Sequence, residues 1–101
     1  MENKALTGFK RRLADYALDR AISAIGGAEA AFAQHDYVTA KFMVGMFIEA
    51  AFLYEEFIEG TPEGETKKPA FDRLNERCWI LNESLLKIEF WAVDGREEEI
   101  A

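Results

Sequence analysis

Residues 40–60, AKFMVGMFIEAAFLYEEFIEG, decide the fold. Stepping by three and four residues, Tyr37, Ala40, Val44, Phe47, Ala51, Tyr54 and Ile58 form one unbroken apolar line. Met43, Met46, Ala50, Leu53 and Phe57 form a second line beside it. This spacing is helical, since a half-buried strand would alternate at every second residue. The remaining strip, Lys41, Gly45, Glu49, Phe52, Glu56 and Glu59, is the only one suited to water. A helix apolar over so wide an arc must be covered on more than one side. The segment is therefore expected to be the long, buried central helix of a bundle. Glu49 and the polar ends argue against a membrane span, which takes about 20 predominantly apolar residues. Gly45 costs roughly 1 kcal/mol relative to Ala in a helix interior, which fits either a close helix crossing or a tolerated surface position.

On the N-terminal side, AEAAFAQ (28–34) reads as helix. His35-Asp36 then reads as a turn with Asp36 capping the next helix, or the helix runs unbroken over 28–59. Upstream, Leu6, Phe9, Leu13, Tyr16/Ala17, Ala21 and Ile25 keep the three–four spacing and predict a helix over about 3–25. Gly26-Gly27 is the expected stop, because glycine takes the left-handed cap conformation without a steric cost. On the C-terminal side, GTPEGETKKP (60–69) reads as an exposed loop punctuated by Pro62, Gly64 and Pro69. A last helix is expected over 70–93, with Phe71, Leu74, Cys78, Leu81, Leu85 and Ile88 on its inner line. Residues 94–101 read as an acidic tail. The fold class is all-α: one domain over 1–101, an antiparallel three- to four-helix bundle around a long buried central helix.

Composition sets the function classes. A chain of 101 residues, 50% hydrophobic, is one domain with enough apolar side chains for a core. The formal net charge of −7 disfavours direct nucleic-acid binding, which takes clustered Lys and Arg, and favours partners with basic surfaces. The single cysteine, Cys78, fits a reducing cytoplasm. Met1-Glu2-Asn3-Lys4 leads into an amphipathic segment, so no secretory leader is expected. The expected location is the cytoplasm, or a host cytoplasm if the chain is phage-encoded.

Candidate chemistry is sparse. His35 is the only histidine and has no second ligand at metal spacing, so it reads as a polar turn residue. Cys78, between Leu74 and Leu81 on an inner line, reads as a small buried apolar residue. No catalytic set and no cofactor is expected. Glu55, Glu56 and Glu59 are the one constellation with possible chemistry: Glu56 and Glu59 lie one turn apart and could jointly hold a divalent cation. The chain does carry more apolar surface than three helices need. Trp79, Leu86 and Phe90 fall outside the inner line of the last helix, and Phe52 lies on the polar strip of the central one. Soluble monomers rarely expose contiguous apolar patches of more than a few hundred Å². Phe52, Trp79, Leu86 and Phe90, with Glu49, Glu56 and Glu59, are therefore the expected protein interface, covered by a second copy in a homodimer or by another protein.

Two local patterns resemble known families. Phe32…Asp36-Tyr37-x-x-Ala40 resembles the corner between the helices of a tetratricopeptide repeat, but the chain has no first-helix Trp or Leu-Gly and no second copy at a 34-residue period. The likeness implies a helical corner and no function. Glu56-x-x-Glu59 resembles the first half of the E-x-x-E…E-x-x-D signature of the MazG-like nucleotide pyrophosphohydrolases, whose four carboxylates on two helices bind Mg²⁺. Asp72-x-x-Asn75, Glu76-x-x-Trp79, Glu83-x-x-Leu86 and Glu89-x-x-Ala92 all leave the second half incomplete. In size, charge and lack of a catalytic motif the chain resembles small acidic phage inhibitors of nucleic-acid machines, anti-CRISPR proteins among them. The leading expectation is thus a small acidic protein-interaction module that inhibits or regulates a nucleic-acid-binding complex by binding protein. The alternatives are a divalent-metal pyrophosphohydrolase-like enzyme and a dimeric secretion or assembly chaperone.

Overall fold

The chain reverses direction at residues 34–36. His35 takes a left-handed φ of 64°, and the Asp36 carboxylate accepts the Thr39 N–H at 3.2 Å. This caps one of the orphan donors of the following helix. The reversal separates α1 (Gly8–Ala33) from α2 (Tyr37–Ile58), and a second corner leads into α3 (Pro62–Val93). The computed structural model describes residues 8–93, and side chains as far as residue 88. Leu6 and the acidic tail 94–101 lie outside the described residues, and Phe90 lies beyond the described side chains. Among the described residues the fold is three helices and no strand.

Two expected boundaries move. Gly26-Gly27 does not stop the first helix, which continues through both to Ala33. Gly27 instead sits against Met43, where an added Cβ would come within 2.7 Å of Met43 Sδ. Its missing side chain serves a close helix approach rather than a cap. The segment read as a loop, 60–69, is mostly helix. Gly60, at φ 77°, ends α2. The buried Thr61 hydroxyl then donates to the Ile58 carbonyl at 2.6 Å and accepts the Gly64 N–H at 3.1 Å. Pro62 follows at the first helical position, where its missing N–H has no consequence. Glu63 and Glu65 occupy the first turn, where carboxylates favour the helix dipole. The Pro, Gly and acidic residues that suggest a loop are here the start signal of α3. Pro69 lies within α3 and is exposed.

α1 and α2 are the tightly packed pair, and α3 lies more loosely along both. The seam is lined by small residues: Ala14, Ala17, Ala21, Ala24 and Ala28 are buried on α1, and Ala40, Ala50 and Ala51 on α2. Small side chains let helix axes approach towards the short end of the usual 8–10 Å. Larger residues fill the angle left for α3, where Phe47, Tyr54 and Ile58 meet Phe71, Leu81 and Leu85. The Tyr54 and Phe71 rings meet at 5.1 Å between centroids, their planes tilted by 49°. The result is a rod of 57 × 19 × 18 Å. α2 is the shortest of the three helices. It buries its inner line but leaves Val38, Phe42 and Phe52 on the outside, so it is covered along one arc rather than all round.

Two substitutions test this packing with opposite signs. At Gly64 a Cβ would run into the Ile58 carbonyl oxygen of the corner, so Gly64→Ala is expected to lower stability in a urea melt by more than about 1 kcal/mol. The Tyr54 hydroxyl is buried without a hydrogen-bond partner, and such a group costs about 1–3 kcal/mol. Tyr54→Phe should therefore hold or raise the urea midpoint, and a fall of the size caused by a core cavity would refute the placement of that hydroxyl.

Candidate functional site

The outward side of α2 carries an exposed apolar face. Val38 is 83% exposed, Phe42 and Phe52 are each 68% exposed, and Ile48 is more than half exposed. They stay outside because they lie on the face of α2 turned away from its buried line of Ala40, Val44, Phe47, Ala51, Tyr54 and Ile58. α3 continues the face. Ile48, Phe52 and Trp79 line one groove between α2 and α3, with Cys78 at its floor and Glu55 at its end. Val38 and Phe42 border a second groove with Leu85, on the same side and closer to the 34–36 turn. Trp79 and Leu86 are both more than half exposed, and their seven-residue spacing keeps them on one side of α3.

Of the residues marked by sequence, Phe52 and Trp79 are brought to one groove. Leu86 lies further along the same side of α3. The carboxylates divide. Glu55 and Glu59 face a cleft where the end of α2 meets the start of α3, joined there by Glu65, Asp72 and Lys68. Glu49 and Glu56 line a different groove, with Phe52 at its edge and Arg20, Met46 and Leu53, between α2 and α1. Adjacent residues are about 100° apart around a helix, which explains why Glu55 and Glu56 part company. Among the described residues no three His, Cys, Asp or Glu side chains converge as a metal site. Val38, Phe42 and Ile48 were not marked by sequence, although Val38 and Phe42 follow Phe52 and Gly45 at helical steps. Glu65 was missed because 60–69 reads as a loop, and Asp72, read within the last helix, was not linked to Glu55 and Glu59 because the corner that joins them is not visible in spacing.

Ion pairs hold α3 beside this face. Arg77 donates to both Glu29 oxygens, at 2.6 and 3.0 Å, and Arg11 meets Glu63 at 2.7 Å. The first pair joins the C-terminal half of α1 to the middle of α3, and the second joins the start of each, so α1 and α3 run parallel. The Arg77 hydrogen bonds hold the Glu29 carboxyl below its ordinary 4.5. Burial pushes the Cys78 thiol up, which keeps it protonated and unreactive. His35 Nδ1 lies 2.7 Å from the Tyr37 hydroxyl, so the histidine is bound into the turn.

α2 is long and apolar enough by length and composition to cross a membrane. Comparison with known proteins gives no match to a family model, a curated protein or a solved structure.

The Glu29–Arg77 pair has a defined pH signature. A carboxyl depressed in the fold adds stability above its unfolded value and loses it as the pH falls through the folded one. Wild type should therefore exceed Glu29→Gln in stability from about pH 5 upward, and the gap should close as pH drops below the ordinary 4.5. Both side chains are over 40% exposed, so the gap should be no more than about 1 kcal/mol. Urea melts at pH 7 and pH 3.5 check this, and an equal gap at both would exclude the pair as its source.

Proposed function

We propose that the chain is a helical protein-interaction module that acts by binding rather than catalysis. The observation that carries this reading is the exposed face of Phe42, Phe52 and Trp79, each more than 60% exposed. Rings of this size on the surface of a soluble chain favour a covering partner, and aromatic residues are the usual anchors of interfaces. Lipid is the less favoured cover for α2, because Lys41, Glu49 and Glu56 are interspersed among the exposed apolar residues of the helix and charges facing hydrocarbon are costly.

The acidic cleft of Glu55, Glu59, Glu65 and Asp72 sits at the end of the aromatic face, and the whole chain carries −7. This combination suits a protein partner with a basic surface, including one that ordinarily receives a phosphate backbone. Acidic side chains steer such a partner in at long range. The module then regulates or inhibits a nucleic-acid-binding complex by occupying the basic surface in place of phosphate. Its setting is the cytoplasm.

The test is quantitative binding to a partner first captured by tagged chain and then purified. Charge reversal at Glu55 and Glu59 together should weaken binding at least tenfold, with a marked loss of affinity as salt rises. Glu56→Lys, in the other groove, should weaken it less. Affinity indifferent to salt and to the Glu55/Glu59 reversal would sink the basic-partner reading.

A further inference from the structure

The exposed strip of α2 is arranged symmetrically about Gly45. Phe42 and Ile48 lie three residues to either side of it, Lys41 and Glu49 four, and Val38 and Phe52 seven. Steps of three, four and seven all fall on one helical face. Each pair is matched in character: apolar with apolar at three and seven, opposite charges at four. Gly45 itself is exposed within the helix, and a Cβ added there would meet nothing within 4 Å. Among the described residues the fold of the single chain leaves room for a side chain at Gly45, as it does at Gly26 in α1, so packing within the chain does not require either glycine.

We propose that this strip is a self-interface, in which a second copy of the chain packs its α2 antiparallel across the first, with the two-fold axis at Gly45. When two identical helices cross antiparallel, the residue a given number of steps before the centre on one lies beside the residue the same number of steps after it on the other. Phe42 then meets Ile48 of the second copy and Val38 meets its Phe52, while Lys41 lies across from its Glu49. The two Gly45 backbones approach at the axis, which explains the glycine. An isologous contact demands this kind of self-complementarity; a strip fitted to an unrelated partner has no reason to be symmetric. The side chains of α3 that flank the strip, Trp79 and Leu86, extend the contact towards the roughly 800 Å² per partner of a standard interface. The inference rests on the reading of this face as protein-binding and names its occupant. It leaves the acidic cleft of Glu55 and Glu59, beyond the strip, for a different protein.

The full chain should run by light scattering at about twice its 11.5 kDa, and Phe42→Glu or Phe52→Glu should make it monomeric with unchanged helical circular dichroism, since both positions are exposed. Lys41→Glu and Glu49→Lys, each placing like charges across the seam, should weaken the dimer at least fivefold; the double reversal should restore it. Gly45→Cys should give a disulfide-linked dimer on mild oxidation, with the wild-type chain and its buried Cys78 as control. A monomer at hundreds of micromolar overturns the proposal, as does a dimer indifferent to Phe42, Phe52 and the charge reversals. A monomer that binds vesicles of mixed neutral and anionic phospholipid through Phe42 and Phe52 also overturns it and assigns the strip to lipid. If the chain is monomeric while Glu55/Glu59 reversal still abolishes binding to a purified basic partner, only the self-interface fails; a dimer with no such partner dependence retains it and removes the other reading.

Discussion

The close approach of α1 and α2 is the constraint on which the rest depends. Their seam is built from alanines, with Gly27 set against Met43. Dispersion and burial both reward such close contact, but alanine contributes little area per residue. The seam therefore holds the two helices at short range without forming a thick core. The larger buried groups, Phe47, Tyr54, Phe71 and Leu81, gather where α3 closes the angle.

The same constraint produces the exposed face. α2 carries about as many large apolar residues as a fully enclosed helix, and the alanine seam accommodates one arc of them. α3 covers part of a second arc and is itself held partly by exposed ion pairs to α1. Phe42, Phe52 and Trp79 remain outside. Packing economy on one side of α2 and surplus surface on the other are one fact seen from two directions. The acidic cleft arises separately, from the corner at Gly60–Pro62, which turns Glu55 and Glu59 towards the first turns of α3.

Much of the fold was legible in residue spacing. The line through Ala40, Val44, Phe47, Ala51, Tyr54 and Ile58 is buried throughout, and so are Phe71, Cys78, Leu81 and Leu85, because a 3.6-residue period translates directly into a face. Where spacing misled, the cause was local chemistry with two meanings. Gly26-Gly27 reads as a cap, yet the helix runs through both, and Gly27 alone serves a close helix contact, against Met43. Thr61-Pro62-Glu63 reads as a loop, yet a capping hydroxyl, a proline at the first helical position and an acidic first turn also begin a helix. In α1 the large residues Phe9 and Tyr16 were placed inward, but both are exposed. The buried line there runs through alanine, which hydropathy counts as weak.

The sequence by itself determined that the chain is all-helical, which residues of α2 and α3 turn inward, and that the apolar surface exceeds what three helices consume. Each follows from periodicity and composition, which are properties of the chain alone. Only the tertiary structure decided which surplus residues share a surface, because that depends on how neighbouring helices are rotated and how closely they approach. It joined Phe52 to Trp79 across a groove and parted Glu55 from Glu56 into different grooves. It also showed that, among the described residues, a Cβ at Gly45 would meet nothing within 4 Å. A glycine's role is set by what lies opposite it, and no one-dimensional pattern records that distance.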